Sequence, residues 1–303
     1  MNDLTVFNSS RGFRDKDFIE TGEKLLFCVV SSTHPEDRVI SYLKYMPSED
    51  GRWGAKDHRF SRVIQRYTIP SLLETIDILR SRYPNYLFYS DVYHIEMSGV
   101  PVDSVVKHYM PERKLAEIMS ETPRDPLIEK LIDLVEKLSG ESGVPAGNFG
   151  VTGSILLDIY NPEFSDIDLT VYGYENSKKV KETILKEFHD RSSPIKRFGN
   201  SESHAWCIRK SREYPISSSD AERILERKWN MGIFRGVRFS INPVRTEEAE
   251  SYGDRIYSAI GYGKIRAVVV EDREAIFTPA LSLIHISEPT RLGMISYAVF
   301  CLK

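Results

Sequence analysis

The sequence predicts an α+β fold, and two observations support that prediction. The first third of the chain contains short runs of β-branched and aromatic residues bounded by turn-forming residues, which is typical of strands. Beyond it, apolar residues at helical spacing alternate with strand-like runs, which is typical of helices packed on a small sheet. A chain of 303 residues can hold two domains, each with a core of its own.

Composition excludes several classes of protein. The chain is 41% hydrophobic and 28% charged, and its formal net charge of −3 argues against a generally basic nucleic-acid-binding protein. The three cysteines, Cys28, Cys207 and Cys301, have no paired spacing, which argues against a disulfide framework and favours a reducing compartment. No apolar run approaches the length of a membrane span, and the first residues do not resemble a signal peptide. We therefore expect a cytoplasmic protein without a membrane partner.

Residues 1–122 are predicted to form an N-terminal α+β domain. Lys24–Ser31 and Arg38–Met46 should pair as antiparallel strands, Ser48–His58 should be a polar loop, and Ser71–Tyr83 should be a helix. Basic and aromatic residues mix from Arg52 to Tyr67. Such a stretch either binds single-stranded nucleic acid by charge and stacking or is a solvated loop beside an edge strand.

Residues 123–246 are predicted to form the second domain, behind a proline-rich linker at Glu121–Pro126. Its most informative stretch is Asn148–Tyr172, in which an apolar run enters Gly153-Ser154. Apolar residues at helical spacing follow, so Ser154 stands where the N-cap of a helix is expected. Free backbone N–H groups at such a helix start, next to a glycine, suit a phosphate.

Two aspartates follow this step on a predicted strand. Asp166 and Asp168 alternate with Ile167 and Leu169, so both carboxylates project from one side of the strand. Mg²⁺ takes one or two carboxylates together with substrate phosphates, and such sites support phosphoryl transfer. A phosphate-binding turn followed by an aspartate pair predicts a site for nucleotidyl transfer.

These residues resemble the polymerase β-like nucleotidyltransferase superfamily, whose motif is a hydrophobic residue, Gly, Gly or Ser, a spacer, and Asp-x-Asp or Asp-x-Glu. The resemblance implies a small mixed sheet with helices, NTP binding by Gly153 and Ser154, and Mg²⁺ binding and catalysis by Asp166 and Asp168. The text of His34–Tyr45 and Glu226–Phe234 is also similar to an archaeal group of predicted nucleotidyltransferases with an additional N-terminal region.

A second group of cations accompanies the motif. Ser219–Asn230 is predicted to be a helix that starts at a capping box of Ser219 and Glu222. Its polar side contains Arg227 and Lys228, which either are solvated or bind the phosphates of the nucleotide or of RNA. We assign both cations to the nucleotide-binding set.

One part of the motif is missing. Active members of the superfamily place a third carboxylate on a later strand, and the strand expected here, Val237–Val244, contains Arg238, Ser240 and Asn242 but no acid. Two functions therefore stay open. One is an Mg²⁺-dependent nucleotidyltransferase that acts on a hydroxyl of RNA, protein or a small molecule, and the other is a catalytically inactive nucleotide- or RNA-binding module.

The C-terminal residues fall into two segments. Residues 247–280 are expected to be the truncated start of a β-rich region. Residues 281–303 resemble the in-frame translation of a short-read sequencing-library adapter, with Leu281–Arg291 and Ile295–Leu302 as its constant blocks. We expect the natural protein to be interrupted near Ala280.

Overall fold

The computed structural model describes residues 11–55, 58–66, 68–246, 251–259, 265–278 and 283–289. Within them the chain is α+β, which confirms the predicted fold class, and it divides into two compact units. One unit contains the described residues of 11–65, 70–110 and 251–258, and the other contains those of 66–69, 111–246 and 259–289. Predictions that concern Lys56, Tyr67, Cys301 and most of the adapter-like segment lie outside the described residues.

The bounds of the elements are as follows. The strands are β1 (Phe18–Thr21), β2 (Leu26–Val29), β3 (Arg38–Pro47), β4 (Trp53–Ala55), β5 (His58–Arg62), β6 (Leu87–Ser90), β7 (Ile95–Pro101), β8 (Val105–Tyr109), β9 (Phe149–Val151), β10 (Ile167–Tyr172), β11 (Ile195–Lys196), β12 (Met231–Phe234), β13 (Val237–Val244), β14 (Ile265–Glu271) and β15 (Leu283–Pro289). The helices are α1 (Ile69–Arg82), α2 (Pro111–Ser120), α3 (Pro126–Ser142), α4 (Gly153–Leu156), α5 (Tyr174–His189), α6 (Asn200–Glu213) and α7 (Ser218–Arg227).

The first unit is built on one antiparallel sheet. Its strands follow the order β4-β5-β3-β2-β1-β8, and β7 joins β6 to β3. The predicted pairing of β2 with β3 and the predicted helix α1 are both confirmed. Phe27, Leu43 and Leu79 have no exposed surface and form the centre of the core between this sheet and α1.

The expected polar loop at Ser48–His58 is wrong in part. Strand β4 lies inside it and pairs antiparallel with β5, with Trp53 opposite Phe60. The Trp53 ring also lies 5.7 Å from the Tyr45 ring on β3. Packing of Trp53 on Tyr45 of β3 therefore orders a stretch whose polar composition predicted a loop.

A buried ionic cluster lies at the edge of the same sheet. The Asp17 carboxylate is fully buried and accepts two hydrogen bonds from the Arg11 guanidinium, at 2.7 and 2.9 Å. The same carboxylate lies 2.8 Å from Nε2 of His108, whose side chain is 1% exposed. Nearby, His34 Nδ1 accepts a hydrogen bond of 3.2 Å from the Ile40 amide. Burial lowers the pKa of His34 to about 4.

The boundary between the units falls twelve residues before the expected one, after Met110 instead of after residue 122. Helix α2 belongs to the second unit, because it packs on β9. A methyl group on Gly150 would lie 2.7 Å from the Pro111 ring, and the Tyr172 hydroxyl donates a hydrogen bond of 2.7 Å to Glu112. The expected linker instead supplies the start of α3, where Asp125 accepts hydrogen bonds from the first free amides of the helix.

The second unit contains a five-stranded mixed sheet, in agreement with the expectation of a small mixed sheet with helices. The order is β11-β12-β13-β10-β9, in which β10 and β13 are parallel and the other pairs are antiparallel. Apolar residues of β10 alternate inward and join those of α3 in a core with no exposed surface: Leu131, Leu134, Val135, Ile167, Leu169 and Val171. This alternation turns Asp168 to the opposite face of the sheet.

Strands β14 and β15 form a separate antiparallel pair. Strand β15 lies within the adapter-like segment. No described helix is both long enough and apolar enough to cross a membrane.

Candidate active site

The site is centred on the parallel pair of β10 and β13. Their register places Asp168 beside Ser240. The Ser240 hydroxyl donates a hydrogen bond to Oδ1 of Asp168, and Asn242 Nδ2 donates to Ser240 Oγ at 3.1 Å and to the Leu169 carbonyl at 3.0 Å. Asn242 thus orients Ser240, and Ser240 orients the carboxylate. The alternation of side chains along each strand predicts that Asp168, Ser240 and Asn242 lie on the same face of the sheet.

The glycine turn packs directly on this carboxylate. Gly153 has a φ of +70°, and a methyl group added to it would lie 2.9 Å from Oδ2 of Asp168. The preceding residue, Thr152, donates its amide to the Asp168 carbonyl at 2.8 Å. The structure therefore brings together Gly153 and Asp168, as the motif predicts, and only glycine fits the turn without strain.

The predicted role of Ser154 as an N-cap is wrong. Thr152 occupies the N-cap position of α4, which is a single turn that ends at Leu156. The helical turn therefore starts two residues earlier than the apolar spacing indicated, with Gly153 at a positive φ as its first residue. The Ser154 hydroxyl instead donates a hydrogen bond of 3.5 Å to Ser165, in the loop that leads to Asp166.

Asp166 and Asp168 line the same cleft, whose volume is about 180 Å³. Its other walls come from the sheet and from α6 with the residues before it. They are formed by Phe198, Glu202, Ala205, Trp206, Arg209, Met231, Arg238, Phe239 and Ser240. The motif predicted the aspartates of this cleft but not the helix that faces them.

Two guanidinium groups line the cleft with the aspartates. Arg238 lies on β13 with its Cζ 5.7 Å from the centre of the Phe198 ring. Arg209 lies on α6, and its only ion pair among the described residues is a long one of 4.0 Å to Glu213. A site that combines carboxylates with guanidinium groups can bind a metal-bound polyphosphate, because each kind of group meets the charge that it attracts.

A third carboxylate in the cleft was missed by sequence reasoning. Glu202 lies in the first turn of α6 and makes no hydrogen bond or ion pair with any described residue. Its Oε2 lies 2.9 Å from the position of a methyl group on Gly199, so the glycine there leaves room for it. Strand β13 contains no acid, and the third acid of this cleft lies on helix α6 instead.

The other predicted site cations lie elsewhere. Lys228 lines a neighbouring chamber rather than the aspartate cleft, and Arg227, in the last turn of α7, lines neither cavity. The predicted capping box is also wrong, because Ser217 and Asp220 cap α7 in place of Ser219 and Glu222. Helix α7 packs on α6 instead of on the sheet, which keeps its last turn away from the aspartates.

The apolar run Ile265–Val270 is followed by two further acids, Glu271 and Asp272, which the sequence offers as another source of the missing carboxylate. Asp272 lines a different cavity, together with Tyr174 on α5 and the neighbouring Arg273. Neither of these acids lines the aspartate cleft.

Comparison with known proteins gives one relative without a stated activity. The chain is 28% identical over 276 residues to the uncharacterized protein MJ1086 of Methanocaldococcus jannaschii, a match that covers 88% of this chain and 79% of that protein. No protein-family model matches the chain, and no solved structure matches it.

Proposed function

We propose that the chain is an Mg²⁺-dependent nucleotidyltransferase, which transfers a nucleoside monophosphate from an NTP to a hydroxyl acceptor. The observation that carries this proposal is the packing of Gly153 against Asp168 beside a cleft that also contains Asp166, Arg209 and Arg238. The sequence motif and the charge pattern of the cleft support the same chemistry independently.

The donor set of the cleft fits Mg²⁺. Asp166 and Asp168 offer hard carboxylate oxygens, and Mg²⁺ commonly takes one or two of these and completes its shell with water and substrate phosphates. Among the residues that the structure describes, no group of three His, Cys, Asp or Glu side chains could hold a metal ion. When bound, Mg²⁺ would neutralise phosphate charge and polarise a phosphoryl oxygen.

The remaining groups of the cleft would bind the phosphates and accept the proton of the attacking hydroxyl. Arg209 and Arg238 would bind phosphate oxygens, and their charge would favour the leaving pyrophosphate. Glu202 would accept the proton of the attacking hydroxyl as its oxygen bonds to the α-phosphorus. In the same step the bond from the α-phosphorus to the bridging oxygen breaks, and pyrophosphate leaves with that electron pair.

A second candidate function rests on Ser240. This residue stands beside Asp168, where an acid on β13 would be placed, and a serine hydroxyl is not a base at neutral pH. With Glu202 inactive, the same cleft would bind a nucleotide without turning it over, and the protein would be a nucleotide-binding module.

Labelled nucleotides separate the two functions. The protein is incubated with Mg²⁺ and each α-labelled NTP, with RNA, protein and small-molecule fractions as acceptors, and released pyrophosphate is measured. The enzyme should label one fraction and release an equal amount of pyrophosphate. Saturable NTP binding without product in any fraction would leave only the binding module.

A further inference from the structure

A second chamber adjoins the aspartate cleft. Its volume is about 400 Å³, compared with about 180 Å³ for the cleft, and its walls come from α6, α7 and the start of β12. Phe198 and Met231 line both cavities, so the two are direct neighbours. Small-molecule sites run from about 300 to 1,000 Å³. The cleft alone falls below this range, so a whole nucleotide needs more room than the cleft offers.

The charges that line the chamber balance. Two cations and two acids line it beside a histidine: Arg197, Lys228, Glu222, Glu226 and His204. The Arg197 guanidinium donates hydrogen bonds to the backbone carbonyls of Glu226 and Lys228, at 3.0 and 3.2 Å, and so ties the wall together. A polyphosphate gains no net attraction from such a lining, because each cation is offset by an acid. The chamber therefore suits an uncharged part of a ligand.

The rest of the lining suits a planar ring that forms hydrogen bonds at its edge. Phe198, Leu225 and Met231 supply apolar surface, and aromatic and thioether side chains both pack well on flat rings. The Asn200 amide makes no hydrogen bond with a described residue. The Ser203 hydroxyl donates one of 3.3 Å to the Phe198 carbonyl, which leaves its oxygen able to accept another. Nucleobases have flat faces and edges that carry donors and acceptors.

We propose that the chamber binds the base and ribose of the NTP whose phosphates bind in the aspartate cleft. The inference rests on the proposed function and adds to it the position of the nucleoside. The uncharged end of the nucleotide would occupy the chamber of balanced charge. The charged end would lie among the guanidinium groups of the cleft and the aspartates proposed as metal ligands.

Phe198 marks the junction between nucleoside and phosphates. Its ring lines both cavities, and the Cζ atom of Arg238, which lines only the cleft, lies 5.7 Å from the centre of that ring. A base that packs on Phe198 from the chamber leaves the phosphates on the side of Arg238. Asn200 and Leu225 line only the chamber, which makes them determinants of nucleoside recognition that do not touch the phosphates.

Two ligands separate the nucleoside site from the phosphate site. Inorganic tripolyphosphate has the phosphate chain of an NTP and no nucleoside, so it reports on the cleft alone. Titration calorimetry in Mg²⁺ measures the Kd of tripolyphosphate and of each of the four NTPs. The chamber variants are Asn200→Ala and Leu225→Ala. Their matched controls are Ser201→Ala and Ile224→Ala, which lie next to them on the same helices and line neither cavity.

The wild type should bind at least one NTP about tenfold more tightly than tripolyphosphate, because only the NTP fills the chamber. Each chamber variant should weaken binding of that NTP about 3–10-fold. Neither should change the affinity for tripolyphosphate, which also shows that the variant is folded. Arg209→Ala, in the cleft, should weaken binding of both ligands, and the two controls should bind both like the wild type.

Three results would overturn the nucleoside assignment: unchanged NTP affinity in both chamber variants, equal losses for both ligands in Asn200→Ala, or a wild type that binds tripolyphosphate as tightly as every NTP. The expected binding pattern in a protein that transfers no label to any acceptor would reject the proposed transferase activity and leave the nucleoside site in place. A wild type that binds neither ligand would reject both.

Discussion

Ser240 donates a hydrogen bond to Asp168 across the parallel pair of β10 and β13, and Asn242 donates one to Ser240 in turn. An aspartate held in this way keeps one oxygen engaged with the protein, while the other faces Gly153. The orientation of the Asp168 carboxylate, which we propose as a metal ligand, thus depends on a residue that is not itself an acid.

Substitution Ser240→Ala should weaken Mg²⁺ binding more than it weakens the fold. Loss of this hydrogen bond should cost about 1 kcal/mol of unfolding free energy and should raise the Mg²⁺ concentration needed for half-maximal activity. The measurement is an Mg²⁺ titration of transfer together with urea unfolding. A normal Mg²⁺ requirement in Ser240→Ala would show that Asp168 needs no such support.

Substitution Gly153→Ala should disturb both the turn and the carboxylate. The positive φ and the 2.9 Å approach to Asp168 should destabilise the second unit by about 1–3 kcal/mol. A matched control is Gly140→Ala in α3, where no atom lies within 4 Å of the added methyl group. The control should stabilise the protein slightly, because alanine is the better helix former. Equal unfolding midpoints for the two variants would contradict the description of the turn.

The two guanidinium groups of the cleft should matter for NTP binding, and the predicted helix cation outside it should not. Arg209→Ala and Arg238→Ala should each weaken NTP affinity about 10–100-fold, since each removes a charged hydrogen bond to phosphate. Arg227→Ala is the control and should bind NTP like the wild type. Equilibrium binding of a fluorescent NTP analogue measures the affinity of all three variants. Weaker binding in Arg227→Ala, with normal binding in the other two, would assign the phosphate contacts to α7 instead.

Glu202→Gln should separate binding from turnover. The variant should bind NTP normally but transfer about 10²–10⁴-fold more slowly, because the amide cannot accept the proton. A normal transfer rate in Glu202→Gln would assign the proton to solvent.

The first unit should lose stability in acid through His34. Its pKa in the folded state, about 4, lies below the ordinary 6.5, so the unfolded chain takes up the proton first as the pH falls. The contribution of the neutral imidazole is therefore complete above about pH 6.5 and is lost as the pH falls from there towards 4. The loss should reach roughly 2–3 kcal/mol. Urea unfolding at several pH values should show this slope in the wild type and a shallower one in His34→Gln.

The sequence predicted the parts of the fold that rest on local patterns. The β2–β3 pair and α1 both follow from apolar periodicity and turn chemistry. The β4–β5 hairpin did not follow, because Trp53 packs on Tyr45 of β3 within a stretch of polar composition. The membership of α2 in the second unit did not follow either, because Pro111 packs on Gly150, which is far away in the chain.

The same distinction applies to the site. Gly153, Asp166 and Asp168 lie within one short motif, so spacing alone predicted their proximity. Helix α6 faces them only in the folded chain, and its position brings Glu202 and Arg209 into the cleft. One feature of the sequence points to Glu202, namely Gly199 just before α6, which leaves space for the Glu202 carboxylate. Arg227 was selected by charge, but the direction in which α7 packs was not readable from its sequence.

The central claim is tested most directly by transfer from an α-labelled NTP in Asp166→Asn and Asp168→Asn, with Glu163→Gln as a matched control. Glu163 is an exposed acid in the loop before the aspartates and does not line the cleft. Both aspartate variants should lose label transfer and pyrophosphate release in Mg²⁺, and the control should retain both. Undiminished transfer in Asp168→Asn would contradict the assignment of this cleft as a nucleotidyltransferase site.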